Sequence, residues 1–392
     1  MTSDAATVTE TTGDADPAAN SEPFRFFDNR EKYLLFVTTT SEKAVVAARI
    51  GNELDHLKPT PPALRVFDAG TGNGIVLANV LRDLHRRMPT VPFVVVGKEV
   101  SMEDTRLTLS TLPGRFSEHP ETVVVLTNMF YAEAPELYPR SAGAQADVQW
   151  WDVPLDGATS FEFQQQVGNL ESVLAEGWQT KSSPKTGNPV YAKPSVLVLY
   201  RRDRAFGLHD LIPRNIGAPQ PFKYDLVLAA QPYRSRTPAE LKVKTVLAPV
   251  ARALAPNGRL VVVQSTGHDP GMEIVRRIWP HDEPFATPRH TLIRELDRQL
   301  NGDGTQFRFE HADDAQALFT YNMHAMPNEV TNRLTTSTAL AAWNAAVYVA
   351  QIDDERVAKA MAEGNYLGVT NDVVLKHGGL WFQDESFVVV RN

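Results

Sequence analysis

Asp68 and Glu99 each close a short apolar run, Leu64-Arg65-Val66-Phe67 and Pro92-Phe93-Val94-Val95-Val96-Gly97-Lys98. Runs of this length read as buried strands, and ligands bind outside the carboxyl ends of the strands in open parallel sheets. Between the two carboxylates lies Gly70-Thr71-Gly72-Asn73-Gly74, where alternate glycines let the backbone turn and let a ligand approach without a Cβ in the way. Glu99 follows Gly74 by 25 residues, near the spacing of about 20 expected of an acid that holds a ribose in a strand–helix–strand unit. A carboxylate there can accept hydrogen bonds from two vicinal hydroxyls; the plainer reading is a solvated acid at a strand end.

Other polar residues stand at comparable places. Asn128 ends the run Thr122 to Thr127, and its amide both donates and accepts; capping the next turn is its ordinary role. Gln231-Pro232-Tyr233-Arg234 follows the run Tyr224 to Ala230 and so faces the same edge. His268 lies in the loop after Leu260 to Gln264, where an imidazole titrating near neutrality could act as a general base or simply be solvated.

These positions need a scaffold of alternating strands and helices. After Gly74, Leu77, Leu81, Leu84 and Met88 recur at helical spacing, with His85, Arg86 and Arg87 at the end that favours cations. Ser101, with Asp104 three residues on, starts a helix directly after Glu99. Thr159 with Glu162, and Thr237-Pro238-Ala239-Glu240, carry the same capping pattern. Further helices are expected from Ser41 toward Leu57, over 271–278 and 290–300, and within 330–362, with strand-like pieces in 307–323 and a final strand over 385–390.

Asp68-x-Gly70-x-Gly72-x-Gly74 resembles motif I of the class I S-adenosylmethionine-dependent methyltransferases, and the helix-Leu254-x-Pro256-x-Gly258-x-Leu260-Val261-Val262-Val263 unit resembles the stretch that follows their motif IV. More narrowly, the chain resembles a bacterial group of these enzymes. The resemblance covers roughly 64–264 and the last strand. It implies a doubly wound, mostly parallel sheet of seven strands in a Rossmann-like α/β fold, with the last strand antiparallel and paired with the fifth and sixth. It also implies S-adenosyl-L-methionine as cofactor, with Asp68, Gly70, Thr71, Gly72, Asn73 and Gly74 at its methionine end, Glu99 on the ribose and Asn128 at the adenine edge. Gln231 and Tyr233 fall at motif IV, where amine-methylating members carry N/D-P-P-Y/F; here glutamine replaces Asn or Asp and one proline is missing, which puts amine chemistry in question. The third glycine of a dinucleotide fingerprint is absent: Ile75 and Val76 stand where it would be sought. An NAD-dependent oxidoreductase and a methyltransferase-like binding protein without catalysis remain as alternatives.

Residues 1–24 contain no Lys or Arg and read as a disordered tail, and 25–62 as a helical segment, which the resemblance makes a lid and packing alone makes a core helix. The rest, 63–392, forms the methyltransferase-like domain, with an insertion at about 139–222 placed at the ligand end of the sheet. Within it Arg201, Arg202 and Arg204 read as a solvated face or an acidic-substrate site. A net charge of −8 disfavours an extended nucleic-acid surface, and the absence of cysteine removes thiol nucleophiles and cysteine zinc sites and fits a cytoplasmic protein. No run is long enough to span a bilayer. No metalloprotease, Walker or serine-hydrolase motif is present; His281-Asp282-Glu283 is metal-like only in composition. The acceptor expected is a small molecule or a protein side chain.

Overall fold

The computed structural model describes residues 30–183, 189–301, 306–310, 313–324 and 335–392. The expected tail at 1–24 lies outside them, as do the first residues of the 25–62 segment and part of the 139–222 segment. Twelve strands are present among the described residues: β1 (Leu64–Asp68), β2 (Phe93–Lys98), β3 (Thr122–Thr127), β4 (Gln149–Leu155), β5 (Thr180–Ser182), β6 (Pro189–Tyr191), β7 (Ser195–Arg201), β8 (Tyr224–Ala230), β9 (Leu254–Ser265), β10 (Phe307–Glu310), β11 (Leu318–Asn322) and β12 (Trp381–Arg391). Ten of them form one sheet in the order β10-β12-β9-β8-β1-β2-β3-β7-β4, with β11 also on β12; β5 and β6 form a separate hairpin.

Seven of the ten match the strands that the resemblance implies. β3, β2, β1, β8 and β9 run parallel, and β12 enters between β9 and β10, antiparallel to both. The sheet is larger than seven strands because the segment between β3 and β8 adds β7 and β4 at one edge, and β11 pairs with β12 near the other. Burial on both faces explains the unbroken apolar runs: in β2, Val94 and Val96 face one core, Phe93 and Val95 the other. Helix α3 (Ile75–Arg87) buries Val76, Leu77, Val80, Leu81 and Leu84 against the second core, each such side chain contributing about 1.5–3 kcal/mol.

Two expectations need correction. β7 runs antiparallel to β3, so it carries Arg201 to the edge opposite the β1 and β2 tips. There Arg201 pairs with Asp203, Arg202 with Asp156 and Arg204 with Asp203: the cluster is a paired surface facing away from the cleft. Thr237 does not cap the helix that follows; it begins at Ala239 with Pro238 before it and no side-chain cap, and passes through a π-helical stretch, Val243–Leu247. The capping serine at Ser101 and the capping box of Thr159 and Glu162 are both formed.

Candidate functional site at the carboxyl edge of the sheet

β1 and β2 pair in parallel with Asp68 opposite Gly97, which brings the loop after Asp68 beside the end of β2. A Cβ at Gly97 would lie 2.6 Å from Thr71 Cγ2, so the loop can sit this close only over a glycine. Gly74 has φ +78, and a Cβ there would come within 2.7 Å of Thr108 Cα on α4 (Met102–Thr111). That glycine serves helix packing, the role held by the third glycine of a dinucleotide fingerprint. Gly70 is the loop glycine whose missing side chain faces open space.

Every amide from residue 70 to residue 75 already has an acceptor. Gly70 N donates to Asp68 Oδ1 at 3.0 Å, Thr71 N to Lys98 O at 3.1 Å, and Gly72 N to Glu99 Oε2 at 3.0 Å. Asn73 N donates to the Tyr33 hydroxyl at 3.1 Å, Gly74 N to Thr71 O at 2.9 Å, and Ile75 N to Asn73 Oδ1 at 3.3 Å. Glu99 Oε1 also accepts from Val100 N and Ser101 N at 2.8 and 2.9 Å. Of the roughly four lone-pair sites of a carboxylate, Glu99 therefore keeps one unused.

Burial, and then the charge of Glu99, push the Asp68 carboxyl up to about 7 against the opposing Gly70 N–H and Lys43. Burial also raises Glu99, which Lys98 counters, and lowers Lys98, whose ammonium stands 4.7 Å from the Tyr131 ring centroid.

The N-terminal helices cover this loop. Helix α1 (Arg30–Thr39) brings Tyr33 over Gly72 and Asn73, and Arg30 lies 3.4 Å from Asp104. Helix α2 (Glu42–Gly51) brings Glu42 and Lys43 to the same side, Lys43 Nζ lying 5.9 Å from the Tyr33 ring centroid. Tyr33 was not anticipated; an aromatic residue three positions into an apolar helix carries no signal of its own.

Asn128 is spent within the chain. It donates to Gly177 O and Lys193 O at 2.9 and 3.0 Å and accepts from Ser195 N at 2.8 Å. Both amide hydrogens thus fasten the inserted segment to β3, which leaves none for an adenine edge. Trp178 lies beside it and donates from Nε1 to Glu99 O at 2.8 Å.

Gln231 has φ +51, a left-handed backbone that non-glycine residues seldom adopt. Its Nε2 donates to Ser265 Oγ at 2.9 Å and to Asp384 Oδ2 at 3.3 Å, and Ser265 Oγ donates to Asp384 Oδ1 at 2.9 Å. The Tyr233 hydroxyl turns away and donates to Gln264 Oε1 at 3.0 Å. Asp384 is fully buried, and burial, then the charge of Glu42, push its carboxyl up to about 8. The sequence did hold a sign of Asp384: Gln383-Asp384-Glu385-Ser386 is a polar stretch inside an otherwise apolar strand.

His268 is exposed and lines a surface groove of about 430 Å³ with Glu273, Arg276, His377 and Trp381, beside the helix Pro270–Ile278. No contact joins it to Gln231 or Asp384 among those seen. Asp282 pairs with Arg236 and Arg356, and no group of three metal-type ligands occurs among the described residues.

The strand order, with a reversed last strand between the fifth and sixth, defines the Rossmann-like methyltransferase type of sheet rather than the 3-2-1-4-5-6 order of the dinucleotide-binding fold. No protein-family model and no curated protein matches the sequence. Among solved structures, the chain is similar to a geranyl diphosphate methyltransferase in complex with GPP and sinefungin, at 12% identity and TM-score 0.33, covering 90% of this chain and 84% of that one. It is also similar to phosphoethanolamine N-methyltransferase 2 of Haemonchus contortus in complex with S-adenosyl-L-methionine, at 9% identity and TM-score 0.32, covering 95% of this chain and 60% of that one. Likeness at this level carries no weight here; the fold rests on the strand order. No helix among the described residues is long and apolar enough to cross a membrane.

Proposed function

We propose that the chain is an S-adenosylmethionine-dependent methyltransferase acting on a small molecule or a protein side chain. One observation carries this reading: the glycine loop between β1 and β2 has no unsatisfied amide and is flanked by two buried-side carboxylates, Asp68 and Glu99. A pyrophosphate needs free backbone N–H groups and positive potential. This loop offers neither, and suits a cationic nucleoside with a ribose diol.

The residues fit that cofactor. Gly70 leaves room beside the loop, Asp68 carries a carboxyl with no strong cation on it, and Glu99 keeps one lone-pair site for a hydroxyl. Asp68 would hold the amino-acid end and Glu99 the ribose, and the wall beside Glu99 would come from Trp178 rather than from Asn128. When bound, the cofactor supplies an electrophilic methyl on a sulfonium. The protein's part is to place an acceptor beside it and keep water out. α1 and α2 are suited to the second task, since they already close over the loop.

Calorimetric titration with S-adenosylhomocysteine tests the proposal. Saturable one-site binding is expected, with NADH giving no heat; binding of NADH alone would reverse the assignment. Glu99→Ala should weaken the nucleoside by about 10-fold or more, as charge-assisted hydrogen bonds are lost.

The Tyr33 contact favours a second reading, in which the protein binds a partner and turns nothing over. Its hydroxyl takes the Asn73 amide that a ligand would approach. Nucleoside binding that raises the melting temperature, with no methyl transfer to any of a broad acceptor panel, would support that reading.

A further inference from the structure

Asp68, Gln231, Ser265 and Asp384 stand at the same edge of four consecutive strands, β1, β8, β9 and β12, and α2 lays Glu42 and Lys43 over them. Among the described residues Asp384 receives hydrogen bonds from two neutral donors, Ser265 and Gln231, and from no cation. Glu42 is buried as well, and its Oε2 is met by Lys43 Nζ at 2.9 Å. The groups that act on Asp384 are thus Glu42 and Lys43 from α2, Asp269 from the loop before the helix Pro270–Ile278, Tyr321 from β11, and the Ser265 and Gln231 donors.

These charges do not balance. Glu42, Asp68 and Asp384 face one ammonium, that of Lys43. Burial works against its charge, but Glu42, Tyr33 and, further off, Asp384 outweigh the burial and hold it above its ordinary range. The cluster therefore already holds a primary alkylammonium against a carboxylate and a tyrosine ring, which is how proteins recognise amines, and it lacks cations for two more carboxylates.

We propose that this cluster receives the methyl acceptor, that the acceptor is an amine arriving as an ammonium ion, and that Asp384 takes its proton. The inference rests on the methyltransferase reading above and adds the substrate class. In the transfer the ammonium N–H bond breaks and an O–H bond forms on Asp384, leaving a neutral amine whose lone pair is free to attack. Ser265 and Gln231 orient the receiving carboxyl, and the left-handed backbone of Gln231 is what turns its amide toward it. A carboxylate acceptor would be repelled by the same groups, and an alcohol, although it can donate its O–H to Asp384, brings no positive charge to offset them.

The test compares two ligands of the full chain by calorimetry between pH 6 and pH 8.5. Sinefungin carries a primary amine where the donor carries its methyl-bearing sulfonium; S-adenosylhomocysteine carries an uncharged thioether. Sinefungin is expected to bind at least 10-fold more tightly at pH 8.5, with the advantage shrinking toward pH 6 as Asp384 is held protonated. Asp384→Asn should abolish the advantage while leaving S-adenosylhomocysteine binding within about twofold. Equal affinity of the two ligands for the unaltered protein at every pH would overturn the proposal without any variant. An advantage that survives in Asp384→Asn would overturn it too, assigning the ammonium to Asp68. If neither ligand binds, the methyltransferase reading fails and this proposal falls with it; if S-adenosylhomocysteine binds and the preference is absent, this proposal alone fails.

Discussion

Glu53, Asp282 and Glu385 are about as deeply buried as Asp68 and Asp384, and the chain treats the two groups in opposite ways. These three each meet a guanidinium: Glu53 meets Arg259 at 2.7 Å and Arg49 at 2.9 Å, Asp282 meets Arg236 and, at 2.6 Å, Arg356, and Glu385 meets Arg289 at 3.4 Å, whereas Asp225, at the opposite end of β8, is held by Thr60 and the Arg65 amide and is raised by burial. Burial pushes Asp282 up, but the two guanidiniums outweigh it and leave the carboxyl below its ordinary range. At the cleft, neutral donors alone bond to Asp68 and Asp384, and both are driven toward neutrality. A buried acid without a cation is a local loss of stability, and such losses persist where a ligand makes use of them.

Substitutions should therefore have opposite signs in the two regions. The largest effect is expected at Glu53→Gln, which strips Arg259 and Arg49 of a buried partner; stability should fall by about 3 kcal/mol in denaturant titration, the low end for a broken buried pair because Glu310 still holds Arg259. Asp384→Asn should do the reverse and add about 3 kcal/mol at pH 7. The folded protein holds the Asp384 proton more tightly than the unfolded chain does, so this group costs stability increasingly as pH rises from near 4 to about 8. The slope should vanish in the variant. If both substitutions destabilise, the contrast between the regions is lost.

The opposite edge of the sheet supplies a third test. His85 and His119 stack at 4.8 Å between ring centroids, and both nitrogens of His85 are buried without a hydrogen bond. Burial, then the neighbouring His119, push His85 down to about 3. Its unfolded form binds a proton below about 6.5 that the folded form refuses, so stability should fall as the pH drops through that window, by about 2 kcal/mol between pH 7 and pH 5. His85→Phe should reduce that acid limb, the remainder coming from His119, which burial also holds below its ordinary range, while leaving the Asp384 limb in place. The smallest effect is expected at Arg202→Ala: it removes only an exposed pair with Asp156, so neither the melting temperature nor nucleoside binding should change measurably.

The parts of the molecule that were legible in the sequence are those set by local rules. Apolar runs gave β1, β2, β3, β8 and β9, Ser101 and Thr159 marked their helices, and the reversed final strand followed from the resemblance. What was hidden depends on direction and distance. Arg201, Arg202 and Arg204 could be read as a solvated face or as an acidic-substrate site, and nothing local decides between them, because only the run of β7 against β3 takes them away from the cleft. Asp384 lies 153 residues from Gln231, and only the pairing of β12 with β9 brings them together. Asn128 and Tyr33 were misjudged or unseen for the same reason: their partners, Gly177 and Asn73, lie 49 and 40 residues away.

β12 is twelfth in the chain but second in the sheet, and β10 and β11 hydrogen-bond to it rather than to β9. During synthesis β9 must therefore wait with an open edge, and β10 and β11 without a strand to join, until residues 381–391 have emerged. An exposed strand edge is a template for wrong pairing. The eleven residues that carry Asp384 are thus the ones that close β9 against such pairing.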